Sequence, residues 1–351
     1  MFFMLVVVMV PYKSYTILPR ELIQDIDAAK HAIANDVLAE GLSGLIRTTL
    51  EEDSLAHSGI IEGEFTKREL REKKRESLES LERLKQAWGL AQLRYQGELH
   101  DDLLTGVANT VNNTLGMNGY RTTSAMITAE HPVIAIRPEK IQPQLQTLFE
   151  YIQTGNFHPV EQATLAHFHI ARIHPFSDGN GRTARIIQNA ILSYHGYPPA
   201  TVTAEERSLY INLIAKAREG FIERESEAPT ELAWQRPHAI SNREFAFFTY
   251  LGSRVNMSLG HLVETIERFP HFKIELIGHT GRKPASMLTV KKHLDAFMQR
   301  GDHLGQARLD MHETSIEVKG DISAAVISSI LDKNGFAGQY RLKTLPKTAL
   351  M

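Results

Sequence analysis

A run of twelve residues, 174–185, combines side chains that can move a proton with side chains that can hold phosphate. His174 supplies an imidazole, Asp178 a carboxylate, and Arg182 and Arg185 two guanidinium groups. Imidazole titrates near neutral pH and can act as a general base. A carboxylate suits Mg²⁺ that is shared with substrate phosphates, and guanidinium groups bind phosphate through paired donors. These residue types predict a polyphosphate site with its own base.

The flanking residues predict that this run is a loop between two helices. Residues 160–173 have a helical pattern, and apolar residues recur with helical spacing from 186 to 192. Pro175 has no backbone N–H and disfavours the α conformation for the preceding residue. We therefore expect the first helix to end at His174 and to leave the imidazole at the start of the loop. The positive end of the second helix should favour the neutral form of that imidazole.

Two glycines give the loop its expected phosphate-binding shape. Gly179 and Gly181 can adopt positive φ, which would turn successive amides toward one anion at the start of the second helix. Phe176 is predicted to anchor the loop to the core. No Gly-Lys-Ser/Thr follows the glycines, so the loop is not a Walker A loop.

The order His-Pro-Phe-x-Asp-Gly-Asn-Gly-Arg-x-x-Arg resembles the complete signature of the Fic-domain family, without departures. That family transfers AMP from Mg-ATP to a Tyr, Thr or Ser hydroxyl of a protein. The resemblance implies that His174 deprotonates the target hydroxyl, that Asp178 binds Mg²⁺ and that Arg185 contacts the γ-phosphate. The nucleotide-binding residues that it implies are Phe176, Gly179, Asn180, Gly181, Arg182 and Arg185. Pyrophosphate is the expected leaving group, stabilised by the metal and the arginines.

A second stretch, Ser58-Gly59-Ile60-Ile61-Glu62-Gly63, is similar to the inhibitory (Ser/Thr)-x-x-x-Glu-(Gly/Asn) motif of many Fic proteins. In that family the glutamate pairs with the second arginine of the signature, which here is Arg185. The implied regulatory residues are Ser58, Glu62 and Gly63. A carboxylate on Arg185 removes a phosphate donor and repels the γ-phosphate. Glu62-Gly63 alone could also be a helix C-terminus.

Residues 122–136 contain β-branched residues around a turn-like Ala129-Glu130-His131-Pro132, which predicts a hairpin after Gly119-Tyr120-Arg121. In Fic proteins such a flap covers the site and pairs with the target segment as an added strand. The implied partner is a protein with a hydroxyl side chain, and this chain itself is included among the targets. An ordinary surface hairpin is the alternative. The helix at 207–220, with Tyr210, resembles the one that bounds the nucleotide base.

Two further histidines, His167 and His169, are not at the i, i+4 spacing that places two imidazoles on one helix face. We interpret His167 as a packing residue.

Composition limits the other functions. The 351 residues carry a formal net charge of −2, which gives no indication of nucleic-acid or anionic-membrane binding. There is no cysteine, which excludes disulfides and thiolate metal sites and is compatible with the cytoplasm. Residues 1–10 are apolar but shorter than a membrane-spanning helix and lack the features of a signal peptide. We interpret them as a buried strand or as the result of a start codon upstream of Met9.

The predicted fold is mainly α, with a Fic-type helical core, a hairpin flap and a smaller C-terminal α/β module. We divide the chain into an N-terminal helical region (1–65), a catalytic domain (66–230), a helical connector (231–270) and the C-terminal module (271–351). The resemblance covers about residues 58–221, and polar residues 223–237 form a candidate boundary.

The C-terminal module leaves two interpretations open. Residues 289–294, with a strand-like stretch after them, resemble the recognition helix and wing of a winged-helix module. The apolar helix predicted at 322–331 fits that module poorly, and the basic residues expected of a DNA reader are few. We therefore favour a small interaction module over DNA binding.

The sequence predicts an autoinhibited protein adenylyltransferase and leaves three alternatives. They are a Glu62-dependent enzyme that removes AMP, a Fic enzyme that uses another donor such as UTP or a phosphocholine carrier, and a non-catalytic regulator that senses ATP. The target and the oligomeric state, including a homodimer, stay open.

Overall fold

The computed structural model describes residues 17–113, 119–127, 133–226, 240–276, 285–300, 304–309, 315–336 and 340–346. Within them the chain is mainly helical. The helices are α1 (Arg20–Ala34), α2 (Val37–Glu62), α3 (Lys67–Arg71), α4 (Arg75–Arg94), α5 (Asp101–Asn112), α6 (Ile141–Thr154), α7 (Pro159–Ile173), α8 (Asn180–Tyr194), α9 (Arg207–Ser226), α10 (Asn242–Arg268), α11 (Ala285–Arg300) and α12 (Ala324–Leu331). The strands are β1 (Met126–Ile127), β2 (Val133–Ile134), β3 (His271–Leu276), β4 (Gly305–Leu309), β5 (Ser315–Gly320) and β6 (Tyr340–Thr344). No helix in these ranges is long and apolar enough to span a membrane.

The chain divides into two compact units. The first comprises residues 1–24 and 50–258, and the second comprises 25–49 and 259–351. Our division into four segments stays a prediction, and residues 227–237 of the expected boundary lie outside the described ranges.

Helices α7 and α8 form the centre of the first unit and carry the 174–185 loop between them. α7 begins at Pro159, where a missing N–H costs nothing. The His158 ring accepts a hydrogen bond from the backbone N–H of Val160 at 3.3 Å, and the Glu161 carboxylate accepts one from the backbone N–H of His158 at 3.2 Å. Most side chains of both helices are buried, so the loop is attached to a rigid helix pair.

Helix α2 includes residues 58–62 of the Ser58–Gly63 motif and ends at Glu62. The helix stops in a Schellman arrangement. Gly63 has a φ of 79°, its N–H donates to the carbonyl of Ile60, and the N–H of Glu64 donates to that of Gly59. Glu62 is therefore the last residue of a long helix, and its carboxylate projects from a fixed position.

The predicted hairpin is present as the antiparallel pair of β1 and β2, with Met126 opposite Ile134 and Ile127 opposite Val133. The expected turn at 129–132 lies outside the described residues.

In the second unit four antiparallel strands form a sheet in the order β4-β5-β3-β6. Helix α11 follows β3 and α12 follows β5, which gives the β-α-β-β-α-β order of a split β-α-β fold. Apolar residues from both helices and from β3, β4 and β5 form one buried cluster. The predicted C-terminal α/β module is confirmed. Residues 277–284, before α11, lie outside the described residues, and α12 and β6 are extra to a winged-helix module.

Candidate active site

A cavity of about 250 Å³ opens over the 174–185 loop. The loop residues 177–181 form one side of it, and one face of α9 forms another. Its lining comprises Glu62, Met126, Ile127, Ala171, His174, Ser177, Asp178, Gly179, Asn180, Gly181, Tyr210, Ile211, Ile214, Ala215 and Arg218. The polar residues lie toward the loop, and most of the apolar residues lie on α9 or the hairpin. This division suits a nucleotide, which has a charged phosphate end and a flat, less polar base at the other end.

His174 lies just past the end of α7, as the sequence predicted. It adopts a left-handed conformation (φ 54°, ψ 58°), and its N–H donates to the carbonyl of Ile170 at 3.0 Å. Burial and, to a smaller extent, the charges of Arg218 and Arg121 together lower the pKa of His174 to about 4, against smaller opposing effects from the Ala171 carbonyl and Glu62. Burial and two arginines, more than the helix end that we invoked, keep the imidazole neutral.

Asp178 presents the carboxylate that the sequence assigned to Mg²⁺. Its side chain is 79% exposed, and Oδ2 accepts from Arg182 Nη2 at 2.9 Å. Its carbonyl accepts from Asn112 Nδ2 at 2.8 Å, which fixes the backbone. Among the described residues no three His, Cys, Asp or Glu side chains converge on one point. A single carboxylate is sufficient for Mg²⁺, which usually takes its remaining ligands from substrate phosphates and water.

The two glycines of the loop are required for different reasons. Gly179 has a φ of 73°, as expected, and a Cβ there would lie 2.3 Å from Asn112 Oδ1. Gly181 is an ordinary helical residue of α8, contrary to the positive φ we expected. A Cβ on Gly181 would lie 2.4 Å from Glu62 Oε1, so the constraint is the close approach of that carboxylate.

Phe176 and Asn180 close the loop on each other. The Asn180 amide accepts from the N–H of Phe176 at 2.9 Å and donates to its carbonyl at 2.8 Å. Phe176 is buried and anchors the loop as predicted. Because these two bonds fix the Asn180 side chain to the loop, its backbone N–H at the start of α8 and the second hydrogen of its amide are the donors left for a phosphate.

Arg185 is buried and is held by the last turns of α2. Nη2 donates to Glu62 Oε1 at 2.7 Å, and Nε donates to Ser58 Oγ at 2.8 Å. The Ser58 carbonyl and the Tyr210 hydroxyl are further acceptors at 3.3 and 3.4 Å. Burial opposes the charge of Arg185, but Glu62 and Tyr210 raise its pKa above the ordinary value. The structure thus brings together the two motifs that the sequence placed 127 residues apart.

Arg182 is held by a carboxylate that sequence reasoning missed. Its Nη1 donates to Glu64 Oε1 at 2.5 Å, and the Arg182 side chain is only 5% exposed. Glu64 is in turn fixed by the Ser80 hydroxyl, which donates to Oε2 at 2.7 Å. The only available signal was the position of Glu64, two residues after Glu62. Each arginine of the loop is therefore paired with a carboxylate at the end of α2 or two residues beyond it.

A third arginine, Arg218, carried no sequence signal and lines the cavity, whereas Arg182 and Arg185 lie behind its lining residues. It is 7% exposed, and Nη2 donates to the carbonyl of Ala171 at 2.6 Å. Burial lowers its pKa to about 10.

His167 lies in the core, where its ring contacts Gln188 Oε1 at 2.5 Å and the Tyr210 hydroxyl at 2.9 Å. Burial lowers the pKa of His167 to about 3, so it is a neutral packing residue. Its contact with the Tyr210 hydroxyl also helps to fix that hydroxyl, which is one of the acceptors of Arg185.

Residues 93–192 match the family model described as Fic/DOC family. A protein adenylyltransferase Fic from Drosophila grimshawi is 46% identical over 70 residues, which is 20% of this chain and 14% of that protein. One from Nematostella vectensis is 35% identical over 106 residues, 29% of this chain and 24% of that protein. The chain therefore matches less than a quarter of the length of these relatives. A Fic domain containing signaling protein from Bacteroides thetaiotaomicron VPI-5482 has the same fold over 69% of this chain and 94% of that chain, at a TM-score of 0.55 and 20% identity.

Proposed function

We propose that the chain, whose residues 93–192 match the Fic/DOC family model, is an autoinhibited protein adenylyltransferase. Its substrates are Mg-ATP and a Tyr, Thr or Ser hydroxyl of a protein, this chain included. One observation carries the proposal. A neutral, buried histidine shares a cavity with a phosphate-binding loop whose second arginine is held by Glu62.

In the proposed reaction the target hydroxyl oxygen attacks the α-phosphorus of ATP. His174 takes the hydroxyl proton, the bond from the α-phosphorus to the bridging oxygen breaks, and pyrophosphate leaves. Asp178 would hold Mg²⁺, which supplies charge stabilisation to the phosphates when bound. The amides at the start of α8 and the guanidinium groups of Arg182 and Arg185 bind and orient the triphosphate. Positioning and electrostatics supply most of the catalysis.

Inhibition follows from the place of Glu62. Arg185 cannot give the same donors to Glu62 and to a γ-phosphate, and the carboxylate repels the triphosphate. ATP that binds beside Glu62 therefore binds in an unproductive position. The close packing of Glu62 over Gly181 supports this account, because the carboxylate lies directly on the first turn of α8.

The experiment that tests the function is intact-mass analysis of the Glu62→Gly variant after incubation with Mg²⁺ and, separately, ATP, GTP, CTP or UTP. A gain of one AMP with ATP is the expected result. A gain from another nucleotide alone would support the alternative donor, and no gain from any nucleotide would contradict the transferase.

The reaction should tolerate acid better than an ordinary histidine base allows. The base must be neutral, and His174 stays neutral until the pH approaches its pKa of about 4. A free histidine would lose activity near pH ~6.5. We expect the transfer rate of Glu62→Gly to hold down to about pH 5, to reach half its value near pH 4 and to fall about tenfold per pH unit below that. A pH–rate profile at saturating ATP, with circular dichroism at each pH to monitor folding, measures this. A decline centred near pH 6.5 would contradict it.

Glu64 should act as a second inhibitory carboxylate. Glu64→Gln in the Glu62→Gly background releases Arg182 for phosphate, and we expect transfer about tenfold faster than in Glu62→Gly alone, equivalent to about 1.4 kcal/mol. Glu64→Gln alone should stay nearly inactive, because Glu62 still holds Arg185. The four proteins form a double-mutant cycle read by self-modification rates. If the double variant is slower than Glu62→Gly, Glu64 supports Arg182 and does not compete for it.

Removal of AMP is the second candidate. Glu62 lines the same cavity as His174, and its side chain is 34% exposed, so it can orient a water molecule there. Loss of AMP from a pre-modified protein that depends on Glu62 would favour it. Tight ATP binding by Glu62→Gly without turnover would favour a non-catalytic sensor. A cytoplasmic location and a homodimer stay predictions, and DNA binding by 271–351 stays the less favoured one.

A further inference from the structure

Arg121 lies between the hairpin and the catalytic loop and is 7% exposed. Its guanidinium donates to three carbonyls: Nε to His174 at 2.7 Å, Nη1 to Thr123 at 2.9 Å and Nη2 to Ile136 at 2.5 Å. The backbone N–H of Arg121 donates to the carbonyl of Pro175 at 2.9 Å. One side chain therefore joins the chain before β1, the chain after β2 and the base of the proposed reaction.

The hairpin needs such an anchor. β1 and β2 have two residues each, and an isolated two-stranded ribbon is marginally stable in water. Ile127 is buried, but Met126 and Ile134 are 59% and 79% exposed, so burial alone does not hold both strands in place. The bonds of Arg121 to both ends of the hairpin fix it instead.

The backbone of His174 needs an anchor as well. A left-handed conformation costs a non-glycine residue about 1 kcal/mol or more, and the carbonyl after a helix end has no intrahelical partner. Arg121 satisfies that carbonyl. The fixed fork of a guanidinium sets the angles among its three acceptors as well as their distances.

We propose that Arg121 is a positioning residue that holds the hairpin in register with His174, so that a hydroxyl on a strand paired with the hairpin arrives at the imidazole. The proposal rests on the proposed function.

The test compares Arg121→Gln and Arg121→Lys, each in the Glu62→Gly background, with self-modification by ATP as the reaction. Arg121→Gln should lower the rate at saturating ATP about 10- to 100-fold, because a small misplacement of reacting groups can cost about 100-fold. The ATP concentration at half-maximal rate should change less than about threefold, since the nucleotide binds to the loop and α9. Arg121→Lys keeps the positive charge but loses the planar guanidinium that reaches three carbonyls. It should therefore have a rate between those of Arg121→Gln and the Glu62→Gly parent.

The pH profile separates positioning from a general structural defect. The groups that act on His174 are Arg218 of α9, Arg121, Glu62 of α2 and the Ala171 carbonyl of α7. Removal of the Arg121 charge should raise the pKa of His174 and move the acidic fall in rate to higher pH in Arg121→Gln, but not in Arg121→Lys.

Arg172→Gln is the matched control. Arg172 lies on α7 two residues before His174, and its side chain donates to Gln144 at 3.0 Å and to the His169 ring at 3.2 Å. We expect less than a threefold change in rate. A parallel loss of rate and ATP affinity in Arg121→Gln, or an unchanged rate, would overturn the proposal. Absence of transfer in Glu62→Gly with Arg121 intact would instead refute the proposed function itself.

Discussion

His174→Ala in the Glu62→Gly background is expected to slow AMP transfer by about 10²- to 10⁴-fold, the range that a positioned general base contributes. The hydroxyl of the target is a weak nucleophile until its proton is removed. His174 is buried and neutral at physiological pH and lines the cavity above the phosphate loop. Alanine removes the acceptor and leaves the loop amides and both arginines in place.

The measurement is a time course of self-modification by intact mass, together with a binding titration of ATP. Affinity for ATP should stay within about threefold, because the phosphates are held by groups that the substitution leaves alone. His31→Ala, at an exposed histidine on α1, controls for loss of an imidazole in general. Transfer that persists at the parental rate in His174→Ala would exclude His174 as the base.

The second large effect is activation by Glu62→Gly, for which we expect transfer about 100-fold faster than in the unsubstituted protein. Glu62 Oε1 lies 2.7 Å from Arg185 Nη2, and the Arg185 side chain is only 5% exposed. A factor of 100 corresponds to about 2.7 kcal/mol, which is reasonable for competition between two anions over one buried cation.

Rates of self-modification with and without Glu62→Gly measure this effect. Glu62→Gln is the matched control, because it keeps the size of the side chain and removes its charge. It should give an intermediate rate if both charge and volume obstruct the γ-phosphate. An unsubstituted protein as fast as Glu62→Gly would mean that the contact with Arg185 does not inhibit.

The chemistry of the loop could be predicted from the sequence because its proton acceptor, carboxylate and arginines lie within twelve residues. Local rules for proline and helical spacing also placed α7 and α8 correctly. The contacts between segments that are distant in the sequence could not be predicted in this way. The pairing of Glu62 with Arg185 came only from a family motif, and that of Glu64 with Arg182, across 118 residues, was not predicted. Such contacts depend on how α2 packs on α8, and local spacing carries no information about packing.

Gly181 illustrates the same limit. The sequence offered backbone freedom as the reason for a glycine, whereas the structure shows a helical residue beneath a carboxylate from another helix. In the second unit a strand-like stretch after residues 289–294 was predicted from local patterns, but the sheet order β4-β5-β3-β6 was not. Strand order depends on long-range pairing, which residue periodicity does not specify.

The burial of Arg185 has a consequence for the protein without nucleotide. A cation withdrawn from water is costly unless an anion accompanies it. Glu62 supplies that anion when the site is empty, and in the proposed complex the triphosphate supplies it, so the site exchanges one counter-ion for another. Removal of Glu62 leaves the empty site with an uncompensated charge that only nucleotide can neutralise. Glu62 thus also contributes to the folding stability of the protein without nucleotide, and a variant that lacks Glu62 would depend on bound nucleotide for part of that stability.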